Sequence, residues 1–242
     1  MKISRTSPSE WKQKKLIEVA DLQTGIAKNS KRTDGAIQLP YLRVANVQDG
    51  ALDLRDIQKI EIPQKKAERY RLHKNDLLLV EGNGNPENLG RCAIWDGSIK
   101  DCIHQNHLFV VRAIDSKIDY RYLALQIMSE RGRDYLLSCS KSSSGLATLN
   151  STQLKGFPAI VPPLPEQKAI ADLLSTWDEA IEKTERLIQA KEERFKRLLN
   201  DLIYVPTKEG NFLPCYSVSS VVQKCASIGV HSWANTFLVF RG

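Results

Sequence analysis

Apolar residues recur every seven positions along one stretch of the chain, between residues 170 and 202. A second series, offset by three or four positions, interleaves with the first, and polar Thr184 and Lys191 interrupt it. A strict seven-residue repeat keeps one stripe of a helix facing a partner helix as both supercoil. The pattern therefore predicts a long amphipathic helix with a pairing seam: Ile170, Leu174, Trp177, Ile181, Ile188, Phe195, Leu198 and Leu202.

A proline-punctuated segment, residues 157–167, comes immediately before this helix. Pro165 suits the first helical turn, because the N–H group that proline lacks has no partner there in any case. The boundary divides the chain into three expected parts. Residues 1–161 form a compact domain, called the body below, 162–203 form the junction and the helix, and 204–242 form an atypical tail.

Shorter periodicities within the body predict a mixed domain. Alternating or continuous apolar runs indicate short strands, Pro63 opens a short helix that reaches Tyr70, and apolar positions over 118–137 predict one further helix. The expected fold class is α+β: a globular, β-rich mixed domain followed by a long α-helix that pairs as a coiled coil. The expected strands are 40–47, 57–62, 76–80, 91–95 and 107–112.

Composition adds only broad limits. The chain has 242 residues, of which 42% are hydrophobic and 26% charged, as in ordinary folded proteins. No run approaches the roughly 18 apolar residues that a membrane span needs, and the first residues lack an apolar signal-peptide core. The expected location is the cytoplasm.

The chemistry-bearing residue types point to neither a metal nor a cofactor. The five cysteines are widely spaced and form no CxxC pair. His104 and His107 lie three residues apart, but no carboxylate pair completes a ligand set. A hydrogen-bonding or DNA-contacting role is a simpler expectation than metal ligation, and a plain surface role is simpler still. Gly82-Asn83-Gly84 follows an apolar strand, yet the next residues have turn chemistry where a phosphate-binding loop would open a helix. We expect no cofactor.

Charge is unevenly distributed along the chain. Residues 1–165 carry 25 Lys and Arg against 18 Asp and Glu, a net charge of +7. Residues 166–203 carry 7 against 9, a net charge of −2. A basic body beside a near-neutral helix is compatible with a polyanion partner, although many soluble domains are basic without one.

Three polar segments of the body could contact nucleic acid. They lie at 28–34, at 83–91 and at 141–148, and they combine Lys and Arg with Asn, Ser and Thr. Basic side chains bind phosphates, and amide or hydroxyl groups bind base edges. The plain alternative is that all three segments are solvated turns.

The order of these features resembles that of specificity (S) subunits of type I restriction-modification systems. The resemblance covers about residues 11–203, and its most specific motif is Pro162-Pro163-Leu164-Pro165-Glu166-Gln167 at the head of the long helix. Further matches are Trp11 to Leu16, the segment from Tyr41 to Asn46, and the segment from Tyr70 to Leu78.

In that family, two such units lie in one chain, each body grips half of a split DNA site, and the two helices pair antiparallel. The resemblance implies that this chain, with one unit, is a half-length and non-catalytic subunit. Its implied partners are double-stranded DNA, methyltransferase and restriction subunits, and a second half-length subunit, expected to be a second copy. The residues expected to contact DNA are Lys28, Asn29, Lys31, Arg32, Arg43, Asn46, Asn83, Asn85, Arg91, Lys141, Ser142, Ser143 and Ser144.

Two other functions compete with DNA recognition. A coiled-coil adaptor would bind protein alone, and a truncated remnant of a longer specificity subunit would have no activity. The segment 204–242, with four charged residues and the apolar run from Thr236 to Phe240, resembles neither a second recognition domain nor a short basic ending. We expect it to be disordered or the product of a truncated or shifted gene end, with a docked strand and helix as the alternative.

Overall fold

The structure is a computed structural model, and it describes residues 10–27, 36–82, 88–140, 148–206 and 212–214. Residues up to Leu174 form one compact unit and residues from Ser175 onward form another. The α+β class with a long C-terminal helix is confirmed. No helix of the described residues is both long and apolar enough to cross a membrane.

The described residues form eleven strands and six α-helices. The strands are β1 Lys12–Lys15, β2 Ala20–Thr24, β3 Ala36–Leu42, β4 Gln58–Pro63, β5 Leu77–Val80, β6 Cys92–Ile94, β7 Ile103–His104, β8 Leu108–Ala113, β9 Pro158–Val161, β10 Tyr204–Pro206 and β11 Phe212–Pro214. The helices are α1 Leu16–Val19, α2 Gln64–Tyr70, α3 Tyr120–Met128, α4 Glu130–Cys139, α5 Ser151–Lys155 and α6 Leu164–Ile203.

A four-stranded antiparallel sheet in the order β2-β8-β5-β6 lies at the centre of the body. All four side chains of β5 are buried, because apolar clusters cover both faces of the sheet. Leu77 and Leu79 belong to one cluster, which includes residues of α3 and α4. Leu78 and Val80 belong to the other, around Trp95. Burial on both faces explains why β5 is continuously apolar in the sequence.

A second sheet, in the order β4-β3-β7, carries its own apolar cluster. Strand β7 runs parallel to the end of β3, where Tyr41 pairs with Ile103 and Leu42 pairs with His104. Helix α2 begins directly after Pro63, as predicted, and its Ala67 is buried in the same cluster.

The strand predicted over 40–47 is displaced. The structure ends β3 at Leu42 and turns Val44–Asn46 into a single 3₁₀ turn. The side-chain amide of Asn46 causes this change, because its oxygen accepts a hydrogen bond from the backbone N–H of Arg43 at 2.8 Å. Local bonds between Asn side chains and the backbone compete in this way with strand pairing.

The single helix predicted over 118–137 is also wrong, because the structure breaks it into α3 and α4. The Ser129 hydroxyl caps α4 by accepting a hydrogen bond from the N–H of Gly132 at 3.1 Å. A Cβ atom on Gly132 would lie 2.2 Å from the carbonyl oxygen of Gln126, so only glycine fits this close crossing. The apolar spacing in the sequence continues through this break, which is why it predicts a single helix.

The junction before α6 is fixed by a fully buried side chain, Gln167. Its Oε1 accepts a hydrogen bond from the backbone N–H of Asp119 at 2.8 Å. Its Nε2 donates to the carbonyl oxygens of Pro162 at 2.8 Å and Lys117 at 3.2 Å. The neighbouring Glu166 accepts a hydrogen bond from the Trp11 indole at 2.9 Å. The Pro-Glu-Gln motif thus holds the start of α6 against the loop before α3.

From Ser175 to Asn200, α6 is almost wholly exposed in the structure. At the end of this second unit, β10 and β11 pair as two short antiparallel strands, with Val205 opposite Leu213. The other tail residues, 207–211 and 215–242, for which disorder was expected, lie outside the described residues.

Candidate nucleic-acid interface

Three polar segments of the body connect to one end of the central sheet. At this end, called the loop end below, β2 and β5 finish while β6 and β8 begin, as the pairing of Thr24 with Phe109 and of Val80 with Leu108 shows. Segment 28–35 follows β2, and segment 83–87 follows β5. Segment 141–147 follows α4 and leads back to Leu149.

Backbone hydrogen bonds tie the described neighbours of these segments together. The N–H of Leu149 donates to the carbonyl oxygen of Glu81 at 2.8 Å. The N–H of Glu81 in turn donates to the carbonyl oxygen of His107 at 3.0 Å. The N–H of Asn106 donates to the carbonyl oxygen of Ile26 at 2.9 Å. One end of each segment therefore emerges from a single hydrogen-bonded patch.

Ten of the thirteen side chains predicted to contact DNA belong to these segments and lie outside the described residues. The structure describes the residues that flank each segment and not these side chains themselves. These residues are Lys28, Asn29, Lys31, Arg32, Asn83, Asn85, Lys141, Ser142, Ser143 and Ser144.

Arg43 and Asn46 form an internal network next to the loop end. One Nη atom of Arg43 binds Oδ2 of Asp56 at 2.6 Å, and this contact holds the pKa of the Asp56 carboxyl below its ordinary value. Asn46 is 3% exposed, and its Nδ2 donates to the carbonyl oxygens of Asp53 at 2.8 Å and Asp56 at 3.0 Å. With its amide used internally, Asn46 supports the turn. This geometry does not favour a base contact by Asn46.

Arg91 lies at the loop end itself, one residue before β6. Its Nη1 donates to Oε1 of Gln48 at 3.3 Å, and its side chain is partly exposed. The bond is long and involves a neutral partner, so the guanidinium keeps most of its donors for a ligand. Arg91 is therefore the described member of the predicted set whose position best suits an anionic ligand.

Sequence reasoning left three loop-end residues out of the predicted set: Gln105, Asn106 and His107. They form the turn between β7 and β8, and all three are at least partly exposed. Nδ1 of His107 lies 3.4 Å from Oε2 of Glu81. The available signal is a run of three polar residues between two apolar strands.

His104, three residues away from His107, has a different environment. Its ring is fully buried, and Nδ1 donates to the carbonyl oxygen of Tyr70 at 3.1 Å. Burial lowers the pKa of His104 to about 4, so the imidazole is neutral at neutral pH. In the described part of the chain, no three His, Cys, Asp or Glu side chains are grouped as metal ligands.

The seam residues of α6 differ in exposure. Trp177, Ile181, Ile188 and Phe195 have exposed fractions between 52% and 64%, and Leu174 is 39% exposed. Ile170 is partly buried against the body's main cluster, and Leu198 is intermediate. The side chain of Leu202 lies outside the described residues. Exposed apolar surface of this extent is typical of interaction sites.

A family model for the type I restriction modification DNA specificity domain matches residues 8–192. The chain is 27% identical to the putative type I restriction enzyme MjaX specificity subunit of Methanocaldococcus jannaschii, over 81% of this chain and 47% of that protein. It is also 27% identical to the type I restriction enzyme EcoKI specificity subunit of Escherichia coli, over 68% of this chain and 36% of that protein. The chain therefore spans about half, or less, of the length of the curated relatives it matches.

Solved structures show the same fold. The HsdS subunit from Thermoanaerobacter tengcongensis superposes with a TM-score of 0.59 at 16% identity, over 86% of this chain and 52% of that one. The S subunit of a type I restriction-modification system from M. genitalium superposes with a TM-score of 0.54 at 13% identity, over 96% of this chain and 52% of that one.

Proposed function

The chain belongs to the family of type I restriction modification DNA specificity domains, and from this premise we propose that its body recognises one half of a split DNA target. The observation that carries the proposal is the loop end, where three polar segments start or finish at one hydrogen-bonded patch. A single surface that presents Lys, Arg, Asn and Ser side chains can bind phosphates and base edges together.

Each kind of side chain has its own part in this recognition. Lys28, Lys31, Arg32 and Lys141 neutralise phosphates and set the register of the protein on the duplex. Arg91, Asn83 and Asn85, together with Gln105 and Asn106, have the donors and acceptors that distinguish base pairs. Arg43 and Asn46 contribute by holding the adjoining turn, through their bonds to Asp53 and Asp56.

In this proposal, the long helix joins the body to a second specificity unit. The junction and helix at 162–203 follow a recognition domain at 1–161, and the exposed seam pairs antiparallel with the helix of a second specificity unit. Forty residues of helix measure roughly 60 Å, which suits holding two bodies apart on one DNA molecule. The same helix docks methyltransferase and restriction subunits, which carry out methyl transfer and cleavage, while this chain catalyses neither.

DNA affinity measured against salt concentration tests this function. We expect the full chain to bind duplex DNA with an affinity that falls steeply with salt, since each phosphate contact releases a counterion. Replacing Lys28, Lys31 and Arg32 with Ala removes three such contacts, so the slope of log affinity against log salt falls in magnitude by about 2.7.

The matched control removes the same charge from α6, by replacing Lys183, Lys196 and Arg197 with Ala. It is expected to leave the salt slope unchanged, because these side chains lie on the helix and not at the loop end. If the wild-type chain has no salt-sensitive DNA affinity even with a methyltransferase subunit present, the proposal fails and a protein-binding adaptor explains the exposed seam.

A further inference from the structure

Between Ser175 and Asn200, the exposed carboxylates of α6 fall into two sets. Three of them form ion pairs with a basic residue four positions on in the same helix, and this set lies on the face turned away from the seam. Nζ of Lys183 lies 3.3 Å from Glu179, and an Nη atom of Arg197 lies 3.9 Å from Glu193. Arg186 pairs with Glu182 in the same way.

The second set is Asp178, Glu185 and Glu192. None of these three side chains forms an ion pair or hydrogen bond with the described residues. They recur every seven positions and directly follow the seam positions Trp177, Thr184 and Lys191. In a coiled coil, residues at such positions flank the interface and face the partner helix.

The other flank of the seam is apolar over three repeats and ends in a cation. Leu173, Ala180 and Leu187 precede the seam positions Leu174, Ile181 and Ile188, and Leu173 and Leu187 are 61% and 57% exposed. Arg194 precedes the next seam position, Phe195. The interface surface of α6 therefore consists of a mainly apolar stripe with two different flanks. One flank carries three carboxylates followed by Leu199, and the other carries three apolar residues followed by Arg194.

A second copy of α6 matches this surface poorly in either orientation. In an antiparallel pair, like flanks meet, so Asp178, Glu185 and Glu192 of one copy face the same carboxylates of the other. In a parallel pair, these carboxylates meet the partner's apolar flank, and Lys191 of one helix faces Lys191 of the other within the seam. In neither arrangement does a flanking cation meet these carboxylates. Arg194 lies on the opposite flank in an antiparallel pair and faces Leu199 in a parallel one.

We propose that α6 pairs antiparallel with a non-identical helix whose matching flank carries Lys or Arg. The proposal rests on the proposed function in taking α6 as the pairing helix and the pair as antiparallel. It replaces the expected homodimer with an asymmetric pair, in which each unpaired carboxylate of α6 meets a basic side chain. Charges that flank a coiled coil select partners in this way, by excluding like pairs as well as by stabilising unlike ones.

A charge-reversed variant of the chain stands in for the proposed partner helix with a basic flank. The variant carries Asp178→Lys, Glu185→Lys and Glu192→Lys, and it is mixed with the wild-type chain bearing a different mass tag. Native mass spectrometry then gives the fractions of mixed and self pairs, and circular dichroism checks that helix content is unchanged. We expect the mixed pair to exceed its statistical share by about tenfold or more at low salt and to approach that share at about 1 M salt.

Two charge-neutralised variants serve as matched controls. Asp178→Asn with Glu185→Gln and Glu192→Gln removes repulsion between like flanks, so self-association of the chain rises. Glu179→Gln with Glu182→Gln and Glu193→Gln makes the same change in net charge on the opposite face and leaves self-association as it was. Equal effects of the two variants would mean that net charge governs pairing, and the proposal would be wrong.

A statistical mixture of pairs at every salt concentration, or a tight wild-type self pair insensitive to salt, also overturns the proposal. These outcomes are distinguishable from failure of DNA recognition, because none of the substitutions touches the loop end. A chain that keeps its salt-dependent DNA affinity but shows no preference for the mixed pair retains the proposed function and loses this inference.

Discussion

His104 lies at the end of β7, where its side chain meets the backbone of the α2 region and not solvent. Because burial lowers its pKa from 6.5 to about 4, the unfolded chain binds a proton on this ring at pH values where the folded chain does not. The folded state is therefore penalised as the pH falls from about 6.5 toward 4, and it has no such penalty above that range.

We predict that His104 alone lowers the free energy of unfolding by about 2 kcal/mol between pH 7 and pH 5. His104→Asn keeps a donor for the Tyr70 carbonyl and does not titrate, so it should remove that share of the pH dependence. Urea unfolding at the two pH values measures it, and His107→Asn, at an exposed position, is the control. An unchanged pH dependence in His104→Asn would contradict the assignment.

Asp76 is the buried member of an ion pair that joins two strands of the central sheet. Its exposed fraction is 1%, and Arg112 binds both of its carboxylate oxygens at 2.7 Å. It also accepts a hydrogen bond from the N–H of His73 at 2.7 Å. The carboxylate thus fixes the turn before β5 to β8.

Asp76→Ala is expected to lower the free energy of unfolding by about 2–3 kcal/mol, since it leaves a guanidinium and an N–H without their acceptor. The value is below that of a fully buried pair because Arg112 is 36% exposed and can reach water. Chemical denaturation measures the change. Asp56→Ala, which breaks a more exposed pair with Arg43, should have a much smaller effect, and equal effects would refute the distinction.

At the scale of elements, the junction before α6 depends on one amide. Gln167→Glu has nearly the same shape but removes the two hydrogen bonds that Nε2 donates and buries a carboxylate among backbone carbonyls. We predict a loss of about 3 kcal/mol or more in the free energy of unfolding, measured by urea denaturation. Glu166→Gln, at an exposed position that keeps an acceptor for Trp11, is the control. A loss below about 1 kcal/mol for Gln167→Glu would show that the amide is not what holds the junction.

Sequence patterns predicted elements whose signals are local. The seven-residue repeat of α6, the fully buried run of β5 and the proline before α2 each depend on residues close together in the chain. The 3₁₀ turn at Val44–Asn46 depends on Asn46 reaching the carbonyls of Asp53 and Asp56, which spacing does not reveal. The break at Ser129 depends likewise on the close approach of Gly132 to α3.

The candidate site was predictable in composition but not in arrangement. Segments 28–34, 83–91 and 141–148 stood out as polar and basic, yet they are far apart in sequence. Only long-range backbone bonds, such as that from Leu149 to Glu81, place their anchors together. The same kind of bond places the turn from Gln105 to His107 next to the site.

At the scale of the whole molecule, the proposed function makes the body and α6 together one half of a DNA-recognition assembly. The antiparallel pairing proposed for α6 would place two bodies on one DNA, and a non-identical partner implies two different half-sites. Such an assembly recognises an asymmetric bipartite sequence, whereas a homodimer would recognise a palindromic one, because two-fold protein symmetry requires symmetric half-sites.

The most direct test of DNA recognition by this chain is the methylation pattern of the host genome with and without its gene, determined by single-molecule sequencing. The account predicts a bipartite methylated motif that disappears when the gene is removed. Replacing Asn83 and Asn85 with Ala should alter one half of the motif and leave the spacer length unchanged. A motif that persists without the gene, or genomes with no difference between the two strains, would contradict the account.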